Sequence, residues 1–166
     1  MAPSPSPRCE DIDVTNQVNA FLAIDARRKA QGIRIRDFER ITGVPNSTFY
    51  VWKRGARTAR VSGLVSLASA VGLGVRINGE NEGFTFGSTV DAVAFLHQRR
   101  NALGLNPWEV EARSGVGVTS YYCWMKGERE PGLFSFAALA QALQCSFTLA
   151  LKGYDRNGII EAKILR

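Results

Sequence analysis

Residues 43–57 read GVPNSTFYVWKRGAR and residues 115–129 read GVGVTSYYCWMKGER. A shift of 72 residues, without a gap, sets Gly43 on Gly115, Val44 on Val116, Tyr50 on Tyr122, Trp52 on Trp124, Gly55 on Gly127 and Arg57 on Arg129. The same shift carries Arg27-Arg28 onto Arg99-Arg100, Gly32 onto Gly104 and Leu67-Ala68-x-Ala70 onto Leu139-Ala140-x-Ala142, so Val18 to Asn78 lies over Val90 to Ala150. A fixed period without insertions marks a duplicated unit. Units of roughly 60 to 70 residues have only marginal cores alone, so two packed together would stabilise each other.

Within each copy the apolar pattern is helical. Ile12 to Gln31 carries Val14, Val18, Phe21, Leu22 and Ile24 and stops at Gly32; Val90 to Leu103 repeats this with Val93, Phe95 and Leu96 and stops at Gly104. A glycine just past a helix supplies the left-handed C-cap. Second helices are expected from about Arg34 to Thr42 and from about Asn106 to Ser114, ending at Gly43 and Gly115. In the later copy Asn106-Pro107 is an N-cap followed by proline at the first helical position. Third helices begin within two or three residues, about Asn46 to Arg54 and Val118 to Lys126, and two short helices across a tight Gly turn make a helix-turn-helix. Fourth helices at Val61 to Val71 and Leu133 to Leu143 carry a single buried stripe. The period then alternates: Val75-Arg76-Ile77 with Phe84-Thr85-Phe86, and Phe147 to Leu151 with Ile159 to Leu165, read as hairpins.

The expected fold is mainly α: two tandem helix-turn-helix units, each followed by a short β-hairpin. Residues 1–11 read as a flexible tail, 12–87 as the first unit with its hairpin and 88–166 as the second with a C-terminal hairpin. Ser88 or Asp91 caps the first helix of the second copy, so structured chain joins the units and their orientation is fixed.

Apolar residues at 45% and charged residues at 22% describe a globular protein, and the longest weakly polar stretch, Val61 to Val75, is short of a bilayer span. The first ten residues lack the apolar run of a signal peptide, so the chain is expected to stay in the cytoplasm. Cys9, Cys123 and Cys145 lack the paired spacings of metal or redox sites and read as reduced thiols. The net charge of +6 favours a polyanionic partner. It is unevenly divided: Val18 to Asn78 holds eleven Arg and Lys against Asp25, Asp37 and Glu39, whereas Val90 to Ala150 holds five against five acids.

The string from Gly43-Val44 through Trp52-x-x-Gly55-x-Arg57 to Leu67-Ala68-x-Ala70-Val71-Gly72, repeated from Gly115-Val116 through Trp124-x-x-Gly127-Glu128-Arg129 to Leu139-Ala140-x-Ala142-Leu143, resembles the Cro and phage-repressor (XRE) helix-turn-helix. The resemblance covers both copies and implies a lambda-repressor-like fold for each unit. It implies that the third helix of each enters the DNA major groove while the second crosses the backbone. Helical periodicity separately puts Val44, Phe49 and Trp52, and likewise Val116, Tyr121 and Trp124, on a packing face. The opposite face holds Asn46, Ser47, Tyr50, Val51 and Arg54 in the first copy and Val118, Thr119, Tyr122, Cys123 and Lys126 in the second. Asn matches adenine bidentately, Arg matches guanine and Val51 suits a thymine methyl; the second set is less polar, fit for methyl groups and shape, or is a degenerate copy with another job. Arg34, Arg36, Lys53, Arg57, Arg60 and Arg129 are expected at phosphates. One departure stands out: four residues before the turn glycine the family usually has Ala, and this chain has Glu39 and Glu111, whose carboxylates are expected to swing toward Arg40 or Arg113.

An enzyme is not expected. His97 has no matching acid or nucleophile, phosphate-loop and zinc motifs are missing, and Gly72-x-Gly74 lacks the third glycine of a dinucleotide loop. No cofactor or metal is implied. The expected function is sequence-specific binding of double-stranded DNA as a transcriptional repressor, with the first copy leading; control through concentration or a partner, as in regulators of mobile elements, follows from the family alone. The competing class is a protein-interaction module, antitoxin-like or anti-activator, with DNA contact secondary. A second copy of the chain or a protein partner would then dock through the hairpins or the second repeat.

Overall fold

The computed structural model describes residues 12–151, in the order β1 (Ile12–Asp13), α1 (Gln17–Ala30), α2 (Ile35–Thr42), α3 (Asn46–Lys53), α4 (Val61–Ala70), β2 (Leu73–Asn78), β3 (Gly83–Phe86), α5 (Thr89–Ala102), α6 (Pro107–Ser114), α7 (Val118–Met125), α8 (Leu133–Ala142) and β4 (Ser146–Leu151). Adding 72 to the bounds of α1 to α4 returns those of α5 to α8. The helices stop where the sequence says they should. Gly43 and Gly115 sit at φ 71° and 75°, left-handed positions that L side chains rarely adopt, and their N–H groups close α2 and α6 onto Glu39 and Glu111 carbonyls. Asn106 and Glu109 form a reciprocal capping box at the start of α6. Ser88 caps α5, accepting the Asp91 N–H.

The first helix differs from expectation. Ile12–Asp13 is a strand, and α1 starts only at Gln17, because the Asp13 carboxylate accepts from the Thr15 backbone and hydroxyl and Asn16 then caps the helix. The strands also do not form one appendage per helix set. They join in a single antiparallel sheet of order β1-β4-β2-β3. The expected strand at Ile159 to Leu165 lies outside the described residues.

The register of this sheet follows the repeat. β2 runs antiparallel to β4 with Arg76 opposite Thr148, residues 72 apart. On the flanks β1 pairs with β4 (Ile12 with Leu149) and β3 with β2 (Ile77 with Phe84), again equivalent pairs under the shift. Each half's opening strand therefore pairs with the other half's closing strand. The halves also meet just before α4 and α8, where Arg60 bridges Gly132, Leu133 N–H donates to the Ala59 carbonyl (2.8 Å) and Val61 N–H to that of Pro131 (3.3 Å).

One apolar core runs through both halves. Under α1 to α3 it is aromatic: Phe21, Phe38, Phe49 and Trp52, with Phe38 and Phe49 edge-to-face at 5.4 Å. In the second half the rings gather against the sheet instead, where Phe86, Phe136 and Phe147 lie within 6.2 Å of one another.

Candidate nucleic-acid interface

α3 and α7 are anchored on one side and open on the other. Val44, Phe49 and Trp52 are buried, as are Val116, Tyr121 and Trp124, so the packing face read from periodicity is the one that faces the core. On the opposite face Ser47, Tyr50 and Arg54 are exposed and Asn46 and Val51 half-buried; the second half repeats the pattern with Thr119, Tyr122 and Lys126 exposed and Val118 and Cys123 half-buried. Tyr50 and Tyr122 are each 41% exposed.

The turns leading into these helices are built alike. Thr42 Oγ1 donates to the Phe38 carbonyl (2.7 Å) and accepts from Val44 N–H, and Ser114 does the same with Val110 and Val116. Pro45 and Gly117, at the N-caps of α3 and α7, have no side chain able to accept. Glu39 and Glu111 fill that role, contrary to the expected swing toward Arg40 or Arg113. Their carboxylates accept from Asn46 N–H (2.9 Å) and Val118 N–H (3.1 Å). Negative charge at a helix N-terminus is favourable, and the carboxylate satisfies a donor that has no partner within its helix.

Of the expected phosphate ligands, Arg36, Arg57, Arg60 and Arg129 are exposed. Arg34 is exposed as well but donates to Asp37 (2.7 Å), which holds the Asp37 carboxyl below its usual range. Lys53 requires a correction. Its ammonium is turned inward onto Asp25 Oδ2 at 2.6 Å, while Arg28 Nε donates to Oδ1 of the same carboxylate at 2.8 Å. Asp25 is buried and its charge needs partners; burial pushes its carboxyl up, but the hydrogen bonds from Lys53 and Arg28 outweigh this and hold it low. Lys53 therefore ties α3 to α1.

An open cleft of about 870 Å³ lies between α3 and the start of α4. It brings Ser47, Val51 and Arg54 of α3 together with Arg57 and Arg60 of the following loop. Sequence reading missed the hydroxyls of Thr58, Ser62 and Ser66, which line the same cleft. It also missed Gln17, whose Nε2 donates to the carbonyls of Trp52 (2.9 Å) and Arg57 (2.8 Å) and whose Oε1 accepts from Ala59 N–H (2.9 Å). A polar residue inside the apolar stripe of the first helix was the available signal. Glu130, from the second half, accepts from Ser62 N–H (2.8 Å) at the start of α4.

Residues 96–149, from α5 into β4, match the family model described as Helix-turn-helix (HTH_3). The second half, from α5 through α8 into β4, is thus similar to a helix-turn-helix family. Neither a curated protein nor a solved structure matches the chain. Among the described residues no helix is long and apolar enough to cross a membrane.

Proposed function

We propose that the chain is a sequence-specific regulator that binds double-stranded DNA through two helix-turn-helix units in tandem and represses by occupying its site. The observation that carries this is the shared build of α3 and α7: each is pinned by a buried tryptophan and capped by a glutamate from the preceding helix, and each leaves five side chains on its outer face. Asn46 and Arg54 suit adenine and guanine edges, Val51 suits a thymine methyl, and Ser47 and Tyr50 add hydroxyls. Val118, Thr119, Tyr122, Cys123 and Lys126 form the second, less polar reading surface. Arg34, Arg36, Arg57, Arg60 and Arg129 position the duplex through phosphates. Fluorescence anisotropy with a labelled duplex over about 50 to 200 mM salt tests this: affinity should fall linearly in log salt, by the release of several counterions. A curve flat across that range would refute it.

One observation favours a protein partner for the second half. Trp108, where the first half has Arg36, is 69% exposed, and Phe134, where the first half has Ser62, is 50% exposed. In that reading the DNA contact is secondary and its salt dependence shallow.

A further inference from the structure

Equivalent residues of the two halves face each other at two separate places, Arg76 with Thr148 in the sheet and Arg60 with Gly132 before α4 and α8. At both, the two backbones run antiparallel. When one operation carries a backbone onto its copy and brings equivalent points together head to tail at two places, it is a half-turn about the line through both. α4, ten residues and about 15 Å long, starts at the Arg60 point and leads into β2, and α8 likewise leads into β4, so one helix stands between the two points in each half. The far end from the sheet is where α3 and α7 hand over to the loops that carry Arg57, Arg60 and Arg129. The same half-turn relates α3 to α7, so the two outer faces are presented in inverted orientation on either side of these arginines.

The faces are not copies. Asn46, Val51 and Arg54 stand opposite Val118, Cys123 and Lys126. An isologous contact between halves closes on itself and calls for no further copy. We propose that a single chain occupies one duplex site composed of two unequal half-sites in inverted orientation, with Arg57, Arg60 and Arg129 over its centre. This rests on the DNA-binding reading above.

The test is selection of the full chain against a randomised double-stranded DNA library, followed by native mass measurement of the complex on the enriched duplex. The expected result is one chain per duplex and two different half-sites in inverted order. The combined substitutions Val118→Asn, Thr119→Ser, Cys123→Val and Lys126→Arg, which give α7 the outer residues of α3, should turn the enriched site into a palindrome of the first half's preference. Arg60→Ala should lower affinity several-fold with both half-site preferences intact; a change confined to one half would displace Arg60 from the centre. Two chains per duplex, half-sites in the same orientation, or a single half-site would overturn the proposal while leaving DNA binding in place. Failure to enrich any duplex would overturn the DNA-binding reading and this inference together. Should the combined variant not fold, the wild-type stoichiometry and half-site order still decide.

Discussion

Beneath α3 the first half places Phe21, Phe38 and Phe49, where the second half has Val93, Val110 and Tyr121; beneath the sheet the second half places Phe86, Phe136 and Phe147, where the first has Val14, Leu64 and Val75. Aromatic bulk has moved from one end of the fold to the other while the helix bounds stayed fixed. The polar centres have diverged with it. Asp25, ion-paired to Arg28 and Lys53, is replaced by His97, which meets the Tyr121 hydroxyl at 2.6 Å beside Arg100. The backbone accepts either solution because both satisfy the same conserved arginine: Arg28 also reaches the Ile33 carbonyl and Arg100 that of Leu105, each at 2.7 Å. Register is set by glycine stops and apolar spacing, whereas the means of holding α3 or α7 can be exchanged. Family likeness and charge also separate: the family model matches the second half, and the basic surface lies on the first.

The largest expected difference between the halves is in these polar centres. Asp25→Ala leaves buried Arg28 and half-buried Lys53 without a counter-charge, a loss of about 3 to 5 kcal/mol by the usual scale for breaking a buried pair. His97→Ala removes a neutral hydrogen bond and should cost about 1 kcal/mol. Urea unfolding of both variants checks the ordering; equal losses would mean that the ion pair anchors α3 no better than the His97–Tyr121–Arg100 cluster anchors α7.

Next come the outer faces. Arg54→Ala should weaken specific DNA binding by about 1 to 3 kcal/mol where the contact is bidentate to a base, and Lys126→Ala by less. Arg54 opens onto the cleft shared with Arg57 and Arg60, whereas Lys126 lies near Glu128 and Glu130. Footprints of each variant on one selected site would show Arg54→Ala erasing protection throughout and Lys126→Ala thinning it over one half. A greater loss from Lys126→Ala would show that charge is the wrong guide to which half leads.

The eight helices among the described residues were legible because each rests on local information, a 3.6-residue apolar period closed by a glycine or a cap. What escaped the sequence depends on residues far apart in the chain. Ile12–Asp13 is too short to show an alternating pattern, and its partners Leu149 and Thr148 lie at the other end of the described chain. Lys53 reads as a solvent-facing cation on a basic helix until Asp25, 28 residues away, proves to be buried against it. Glu39 looks like a misfit at a close helix approach, and only the folded turn shows it seven residues on, capping α3. The outer residues of α3 and α7 follow from periodicity alone, since the packing tryptophans fix which side is left open.

Gln17 and Thr89 offer a sharper test of how rigidly each half holds the loop after its third helix. Gln17 bonds three backbone groups of the segment from Trp52 to Ala59, whereas the Thr89 hydroxyl is buried with no hydrogen-bond partner among the described residues. Gln17→Ala strands those groups and should cost about 1 to 3 kcal/mol; Thr89→Val removes an unsatisfied hydroxyl and should be neutral or stabilising. Hydrogen exchange at Ala59 N–H should quicken only in Gln17→Ala. Unchanged exchange there would refute the clamp.

Acid should loosen the second half at milder pH than the first. Burial and the Arg100 guanidinium hold the His97 imidazole below its ordinary range, so as pH falls through about 6.5 the unfolded chain takes up the proton first and stability declines, levelling once folded His97 protonates too. Asp25 is also held low, and its contribution is lost only as pH falls below about 3.9. His97 is the chain's one histidine, so His97→Asn should flatten the dependence of the urea midpoint between about pH 5 and 7, where the slope for one proton is at most about 1.4 kcal/mol per pH unit. An unaltered pH profile would assign that slope elsewhere.

The smallest expected effect lies where α4 and α8 turn into the sheet. Gly72 has φ 78°, at ease in the left-handed region, and its equivalent Gln144 is held at φ 60°, the one non-glycine with positive φ among the described residues. The turn demands this conformation in both halves, since the N–H of each closes onto a carbonyl three residues back, Ser69 and Gln141. A side chain there costs roughly 1 kcal/mol, set against the greater unfolded-state entropy of glycine. Gln144→Gly should therefore raise stability by a few tenths to about 1 kcal/mol, and Gly72→Gln should lower it by a similar amount, with the Gly72 side further crowded by Arg27, whose Nη2 lies 3.4 Å from the position of an added Cβ. Thermal unfolding of the two variants and of the exchange carrying both tests the equivalence of the sites: near-cancellation in the double variant is expected. Destabilisation by Gln144→Gly would show that the Gln144 side chain contributes more than its backbone costs.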